Sequence, residues 1–464
     1  MTINTDGPLP DCFAKIDQLG LKIALGMENY PSNRMIMCYG PPGGGKSTLL
    51  YSLIGQYLRN GDEVWLVDAE RAIDRIYLAS YLNPGTGSEP EGPEVVLEAL
   101  KYELKTTEAR LKKEQKTPED SRGASDEQIE VLERRLTLLP KLIKEIKDEL
   151  KVEKKPGEAE AGTPKVAETA EEKIDARTRR SLIRRSVADH RLRNLKILQF
   201  ETLEEFEKET VKMIEARKEE PERRHKRLLI GVDSINCLLP AEVLERATSS
   251  EGSNFVTAKY MHTLLPKLIT KLSGTETSIF CIHQKTTTIK INYWEQKSPI
   301  DDVATKGGSA AKFGATVMIG VEKRKKMKGA DEKEYDSGII EIPKAKLRGG
   351  SRGTYKGAFL LRESVERSVM DFNTPFILKV IDEEQFGIKK ARGGKVFVPG
   401  RLLEGHPEME SKIRPALVPF PKDEGGENLV AHYQAKESEA VELLSASPSF
   451  EEECLLAYDI MKNV

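Results

Sequence analysis

Gly40-Pro41-Pro42-Gly43-Gly44-Gly45-Lys46-Ser47 is the stretch that decides the fold. It fits G-x-x-x-x-G-K-[ST] at every fixed position. Glycines let the chain turn tightly enough for successive backbone N–H groups to converge, and such a concavity holds anions. Lys46 adds a positive charge for the β- and γ-phosphates of a nucleotide, and the Ser47 hydroxyl is a ligand for Mg²⁺. Thr48 follows in the first turn of a helix whose N-terminal dipole favours the same phosphates. The flanks agree. Residues 34–39 are apolar and short, a strand. Residues 47–59 carry Leu49, Leu50, Leu53, Ile54, Tyr57 and Leu58 on one helical face, and Asn60-Gly61 stops that helix. Residues 64–68 form the next strand. Strand, loop, helix, strand is a βαβ unit and implies a parallel sheet.

The pattern breaks at Asn83-Pro84. From there to about residue 194, Glu, Lys, Arg and Leu dominate. Leu97, Leu100, Leu104 and Leu111 keep a helical spacing. Ile129, Leu132, Leu136, Leu139, Ile143, Ile146 and Leu150 alternate steps of three and four, which is a coiled-coil seam. Ser125 with Gln128 resembles a capping box at its start. Pro140 lies inside the seam and predicts a kink or break, because proline removes a helical hydrogen bond. Residues 113–124 are the expected tip between two antiparallel helices. Residues 155–171 are low in complexity and expected to be disordered. The insertion reads either as a solvated helical hairpin or as a contact surface for a protein partner or a filament neighbour.

Alternation resumes at 195. Strands are expected at 195–200, 227–233, 278–282, 315–322, 338–343 and 358–361, and helices at 203–216 and 255–272. The insertion therefore interrupts one α/β domain, a P-loop core with a mostly parallel twisted sheet. The expected layout is 1–83 for the first part of the core, 84–194 for the insertion, 195–370 for the second part, and 371–464 for a small C-terminal domain and tail.

Bulk properties bound the function. The 464 residues suffice for several units. A net charge of −2 gives no molecule-wide attraction to nucleic acid or membrane, so any basic surface is local. Cys12, Cys38, Cys237, Cys281 and Cys454 form no CxxC pair, which argues against zinc and a disulfide framework. No apolar run approaches the ~18 residues of a membrane span. The expectation is a soluble cytoplasmic protein with no membrane partner.

Three further features carry chemistry. Residues 227–233, RLLIGVD, are an apolar strand ending in Asp233, which behind such a loop supports Mg²⁺ through water. Glu70 follows the strand end at Asp68. A carboxylate there either orients water for in-line attack or simply opens a surface loop, and spacing leaves both open. Residues 285–312 hold Lys285, Lys290, Lys297 and Lys306 with Tyr293 and Trp294 among them. Cations interleaved with aromatics suit single-stranded nucleic acid, and an ordinary exposed loop is the alternative. The loop at 238–254, with Glu242, Glu245, Arg246 and Glu251, is not strongly basic. His283 is expected to be structural.

Residues 19–46, LGLKIALGMENYPSNRMIMCYGPPGGGK, resemble the approach to the P-loop in the RecA recombinase family, and 68–77, DAERAIDRIY, resemble its next strand end. The resemblance implies that Glu70 is the catalytic base and that Asp74 and Tyr77 flank the adenine. Ile282-His283-Gln284 is similar to the strand whose glutamine senses the γ-phosphate, which makes Gln284 the switch residue. Residues 306–316, KGGSAAKFGAT, are similar to the end of the family's second DNA-binding loop, implying DNA contacts at Gly307 and Gly308 and a protomer contact at Lys312 and Phe313. Pro343-Lys344-Ala345-Lys346 is similar to the K-x-K pair that reaches a neighbour's ATP, and points to the bacterial and phage branch. The resemblance covers roughly 16–83 and 195–350. It departs from the family in having only residues 1–15 ahead of the core, in the long insertion, and after Lys346. Residues 386–415 are faintly similar to the family's C-terminal domain.

The resemblance implies a DNA-dependent ATPase with ATP and Mg²⁺ as ligands. Such a protein assembles on single-stranded DNA as a filament or ring and engages duplex DNA during exchange, for recombination and repair. Two other readings share the core: a hexameric helicase motor, and a regulatory ATP-binding protein that acts through the helical insertion.

Overall fold

The computed structural model of the chain describes residues 14–30, 33–73, 78, 81, 93–116, 126–153, 176–220, 226–245, 253–286, 304–305, 314–342, 355–363, 368–391, 395–404, 414–419 and 427–458. Ala14–Lys15 (β1) and Asn29–Tyr30 (β2) pair around the helix Leu19–Leu25 (α1). Met35–Gly40 (β3) follows and is buried at every position, as a strand covered on both faces must be. Lys46–Arg59 (α2) begins inside the glycine motif, and Glu63–Asp68 (β4) comes next.

The chain packs as two compact units, residues 79–195 and the remainder. The smaller unit has three helices, Pro93–Lys116 (α3), Asp126–Glu153 (α4) and Ala176–Leu192 (α5). Leu100, Leu139, Leu142, Ile143, Ile146, Leu182 and Val187 form its core. The expected break at Pro140 does not occur, for α4 continues through it. Pro140 is exposed while Leu139, Leu142 and Ile143 beside it are buried, so the ring projects away from the packed side. The third helix was not expected, because Arg-rich α5 offers the core only a few apolar residues. Inside this unit Glu103 is 4% exposed, accepts a hydrogen bond from Ser186, and lies 3.8 Å from Arg135. The expected capping residue Ser125, most of the tip and the 155–171 segment lie outside the described residues.

The larger unit continues with Leu195–Leu198 (β5), Leu203–Glu219 (α6), Leu228–Asp233 (β6), Ala241–Glu245 (α7), Ser253–Leu272 (α8), Thr277–Thr286 (β7) and Ala304–Thr305 (β8). Val317–Lys328 (β9), Glu334–Ile342 (β10), Tyr355–Glu363 (β11) and Ser368–Asp371 (β12) complete a ten-stranded sheet. Its order is β12-β11-β10-β9-β3-β7-β6-β4-β5, with β8 paired to β7 off this path. The half that carries the motif is parallel, with β3 beside β7 and β9, and β6 beside β7 and β4. From β9 to β12 the strands are antiparallel, where sequence alternation alone had suggested nothing about direction. The short turn at Gly329–Lys333, with Glu332 at φ 62°, is what lets β9 and β10 pair without a crossover helix.

Helices cover both faces of the parallel half. Leu228, Ile230 and Val232 of β6 join a core with Phe206, Ile214, Leu264, Leu265 and Leu268 of α6 and α8. Gly231, on the alternate face, lies under Leu50 of α2, where an added Cβ would approach Leu50 Cδ1 to 3.0 Å. Fully burying one such leucine or phenylalanine contributes about 1.5–3 kcal/mol.

Beyond β12 come Asn373–Asp382 (α9), Lys389–Ala391 (β13), Lys395–Pro399 (β14), Arg414–Pro419 (β15), Glu427–Lys436 (β16), Glu437–Ser445 (α10) and Pro448–Ala457 (α11). The four strands make an antiparallel sheet in the order β13-β14-β16-β15. Leu19 and Ile23 of α1 share its core with Ile377, Val380, Val396, Val398 and Leu444. Buried Lys22 pairs with Glu451 in the same region. No helix among the described residues is long and apolar enough to cross a membrane.

Candidate nucleotide-binding site

The glycine loop leaves the C-terminal end of β3, which lies between β7 and β9 in the middle of the sheet. Ligands of open α/β sheets bind in the crevice outside such strand ends. Gly43 at φ 68° and Gly45 at φ 93° adopt left-handed backbone that side chains disfavour. At Gly40 an added Cβ would sit 2.1 Å from the Val321 carbonyl oxygen of β9, so no larger residue fits. The motif's glycines are thus fixed by backbone geometry as well as by space.

Lys46, the first residue of α2, is 7% exposed. Its Nζ donates to the Pro41 carbonyl at 2.7 Å, so the side chain arches back over the loop. Burial lowers its pKa, while Cys38, Asp233 and Glu70 oppose that shift. Asp233 closes β6 and is 7% exposed. Burial pushes its carboxyl up to about 6, with Glu70 and Asp68 adding to the shift and a hydrogen bond to Ser47 and the charge of Lys46 opposing it. A cation near Ser47 and Asp233 would find two hard oxygen donors and relieve that buried charge, so this pair fits Mg²⁺. The described residues hold no cage of three or more His, Cys, Asp or Glu.

Glu70 stands just beyond β4. Its backbone N–H and that of Ala69 both donate to the Asp233 carbonyl, at 3.3 and 2.9 Å. One carboxylate oxygen, Oε1, accepts from Ser234 Oγ at 2.6 Å, from Gln284 Nε2 at 3.3 Å and from Cys237 Sγ at 3.8 Å. Gln284 lies near the end of β7, and its own N–H donates to Asn236 Oδ1 at 3.0 Å. Asp68 is 5% exposed and accepts from Ala72 N at 3.0 Å and Gln199 Nε2 at 3.4 Å. It shapes the turn that presents Glu70.

Five sequence candidates therefore converge: Lys46, Ser47, Glu70, Asp233 and Gln284. Gly40, Pro41, Pro42, Gly43, Gly44, Gly45 and Thr48 line or follow the same loop. Lys285 is the next residue of β7 after Gln284. Asp74, Tyr77, Lys290, Tyr293, Trp294, Lys297, Lys306, Gly307, Gly308, Lys312, Phe313, Lys344 and Lys346 lie outside the described residues. His283 is wholly buried beside Gln284. Sequence reasoning missed Ser234, Asn236 and Cys237. Their signal was a polar run, Ser-Ile-Asn-Cys, directly behind the apolar strand that ends in Asp233.

Residues 13–86 match the RecA N-terminal domain. Among curated proteins the chain is similar to protein RecA of Ectopseudomonas oleovorans, 36% identical over 103 residues, which are 22% of this chain and 30% of that protein. It is also similar to protein RecA of Halalkalibacterium halodurans, 44% identical over 59 residues, 13% of this chain and 17% of that one. The chain spans less than a third of the length of either relative. Among solved structures it is similar to the "ATPase Domain of G40P", 12% identical, over 73% of this chain and 85% of that one, with a TM-score of 0.35. The matched segment runs from β1 past β4 and carries the glycine loop, Lys46, Ser47 and Glu70, so this part of the α/β core resembles the nucleotide-binding part of a RecA-like P-loop core.

Proposed function

We propose that the chain is an ATP-dependent, DNA-binding recombinase of RecA type that assembles on single-stranded DNA. The observation that carries this reading is Glu70, one of whose oxygens is held by Ser234 and Gln284 at the strand ends that also present Lys46, Ser47 and Asp233. A nucleotide triphosphate in the glycine loop would have its phosphate charge met by Lys46 and by Mg²⁺, which Ser47 would ligate and Asp233 would support through water. Glu70 takes the proton of a water whose oxygen attacks the γ-phosphorus, while the bond to the β-phosphate oxygen breaks and ADP keeps that electron pair. Asp74 and Tyr77 flank the base.

Gln284 touches Glu70 through its side chain and continues in the chain into the 285–312 segment. In this reading Lys285, Lys290, Lys297, Lys306, Gly307 and Gly308 meet DNA phosphates and Tyr293 and Trp294 stack on bases. Lys344 and Lys346 neutralise transition-state charge on a neighbouring protomer's nucleotide. The test is ATP turnover with and without single-stranded DNA at low salt. A clear rise in turnover, with assembly on the DNA seen by electron microscopy, supports the reading. No change in turnover or assembly refutes it and favours a regulatory ATP-binding protein.

A further inference from the structure

Behind β6 the chain makes one tight turn, Ile235–Cys237, and the polar groups of this turn and of Ser234 before it all face the site. Ser234 is 0% exposed, and its hydroxyl lies 2.6 Å from Glu70 Oε1. A hydroxyl has one proton, and the carboxylate oxygen can only accept. The Ser234 proton is therefore committed to Glu70, and Cys237 Sγ, itself a donor to Glu70 Oε1 at 3.8 Å, lies 3.5 Å from Ser234 Oγ. Two residues on, Asn236 Oδ1 accepts the backbone N–H of Gln284, whose side-chain amide reaches the same Glu70 oxygen at 3.3 Å. The Asp233 carbonyl meanwhile holds the backbone of Ala69 and Glu70. One five-residue segment thus grips Glu70 at backbone and side chain, and grips Gln284 at its backbone.

We infer that Ser234 is a positioning residue that commits Glu70 Oε1, leaving Oε2 as the oxygen that takes the proton from water, and that Asn236 holds Gln284 against the same carboxylate. This rests on the reading of Glu70 as the base. Physical reasons favour one committed oxygen. A carboxylate free to rotate presents its base in the attack line only part of the time, and fixing the group removes that loss. The donors also differ in permanence. Ser234 is buried in the core strand connection, whereas Gln284 is exposed and sits where β7 ends. Ser234 therefore supplies a constant hold, and Gln284 a hold that changes if its segment moves.

The experiment compares the full chain with Ser234→Ala, Ser234→Thr, Glu70→Gln and the Ser234→Ala/Glu70→Gln double variant. Nucleotide affinity and single-turnover ATP hydrolysis are measured, together with crystal structures of the wild type and Ser234→Ala. The expected result is a fall of about tenfold or more in turnover for Ser234→Ala, the scale of a lost hydrogen bond to a charged group. Nucleotide affinity should stay within about twofold, within the scatter of an independent site. Ser234→Thr, which keeps the hydroxyl, should recover much of the rate. On the Glu70→Gln background Ser234→Ala should cost little more, because residues acting as a unit are not additive. Unchanged turnover in Ser234→Ala overturns the inference. So does a full, additive loss in the double variant, or a proportional loss of nucleotide affinity, since each assigns Ser234 a role apart from Glu70. If the wild type hydrolyses no nucleotide, the functional reading fails on its own, and the crystals then decide: Glu70 unmoved in Ser234→Ala overturns the clamp, and Glu70 turned away supports it.

Discussion

Lys46 Nζ and the Pro41 carbonyl oxygen are 2.7 Å apart, so the lysine closes the glycine loop on itself from the first turn of α2. A lysine buried to 7% exposure keeps its ammonium where the loop's N–H groups converge. Replacing it removes the only full positive charge that the loop contributes. Lys46→Ala should weaken nucleotide binding by about tenfold or more, because hydrogen bonds to charged groups are worth about 1.5–3 kcal/mol each. Glu70→Gln should instead keep nucleotide affinity and lower turnover by about 10²–10⁴, the range for a removed general base. Calorimetric titration and a turnover assay separate the two. Equal loss of affinity in both variants would contradict the role given to Glu70.

His283 gives the pH dependence a definite sign. It is 0% exposed, and neither ring nitrogen has a hydrogen-bond partner among the described residues. Burial depresses its pKa from 6.5 to about 4. The folded protein therefore holds it neutral, while the unfolded chain takes up a proton as pH falls through about 6.5. Stability is present in full above that value and is lost as pH falls toward 4. Between pH 7 and 5 this one group should cost about 2 kcal/mol, from about 1.36 kcal/mol per pKa unit. Urea unfolding at the two pH values measures it. His283→Leu should show a shallower loss over the same interval, and an identical pH dependence would remove His283 as the cause.

The helical insertion should be separable from nucleotide binding. Its apolar residues, with Leu139 and Leu142 at 0% exposure, close on one another in a core of their own. Replacing residues 88–190 with a short linker should leave a folded protein that binds nucleotide with unchanged affinity. Leu142→Ala should destabilise the insertion by about 2–5 kcal/mol through the lost contacts and the cavity. Its thermal transition should move while nucleotide affinity does not. Aggregation of the deleted protein, or loss of binding in it, would make the insertion part of the folding unit of the core.

The nucleotide half of the site was legible because its chemistry is local. Eight consecutive residues specify loop, lysine and serine, and the flanking apolar runs announce strand and helix. Asp233 and Glu70 were legible as strand ends, but what holds them was not. Ser234 meets Glu70 across 164 positions of sequence, and Gln284 meets it across 214. No period or spacing encodes such contacts, which depend on β4, β6 and β7 lying side by side. The antiparallel β9–β12 extension was hidden for a related reason, since strand alternation carries no direction. Pro140 does not break the helix because Leu139, Leu142 and Ile143 pack on either side of it, a support that an isolated helix lacks.

Gln284 should couple DNA to turnover. Its side chain reaches Glu70 at 3.3 Å, its N–H is held by Asn236 at 3.0 Å, and β7 continues from it through Lys285 and Thr286 toward the segment rich in lysine and aromatics. If Glu70 activates water and residues 285–312 bind DNA, a residue joined to both links the two ligands only where each prefers the same arrangement, and that linkage is reciprocal for binding. ATP should therefore tighten single-stranded DNA binding, and DNA should favour the ATP-bound state. Gln284→Ala removes the link while leaving Lys46, Ser47 and the lysines of the segment in place. The variant should bind nucleotide and DNA separately, with DNA affinity still falling as salt rises. It should lose the stimulation of turnover by DNA and the tightening of DNA binding by ATP together, because one contact carries both. Loss of stimulation with the ATP effect on DNA binding intact would mean that Gln284 acts on the chemical step alone. In that case the path between the two ligands runs through other residues.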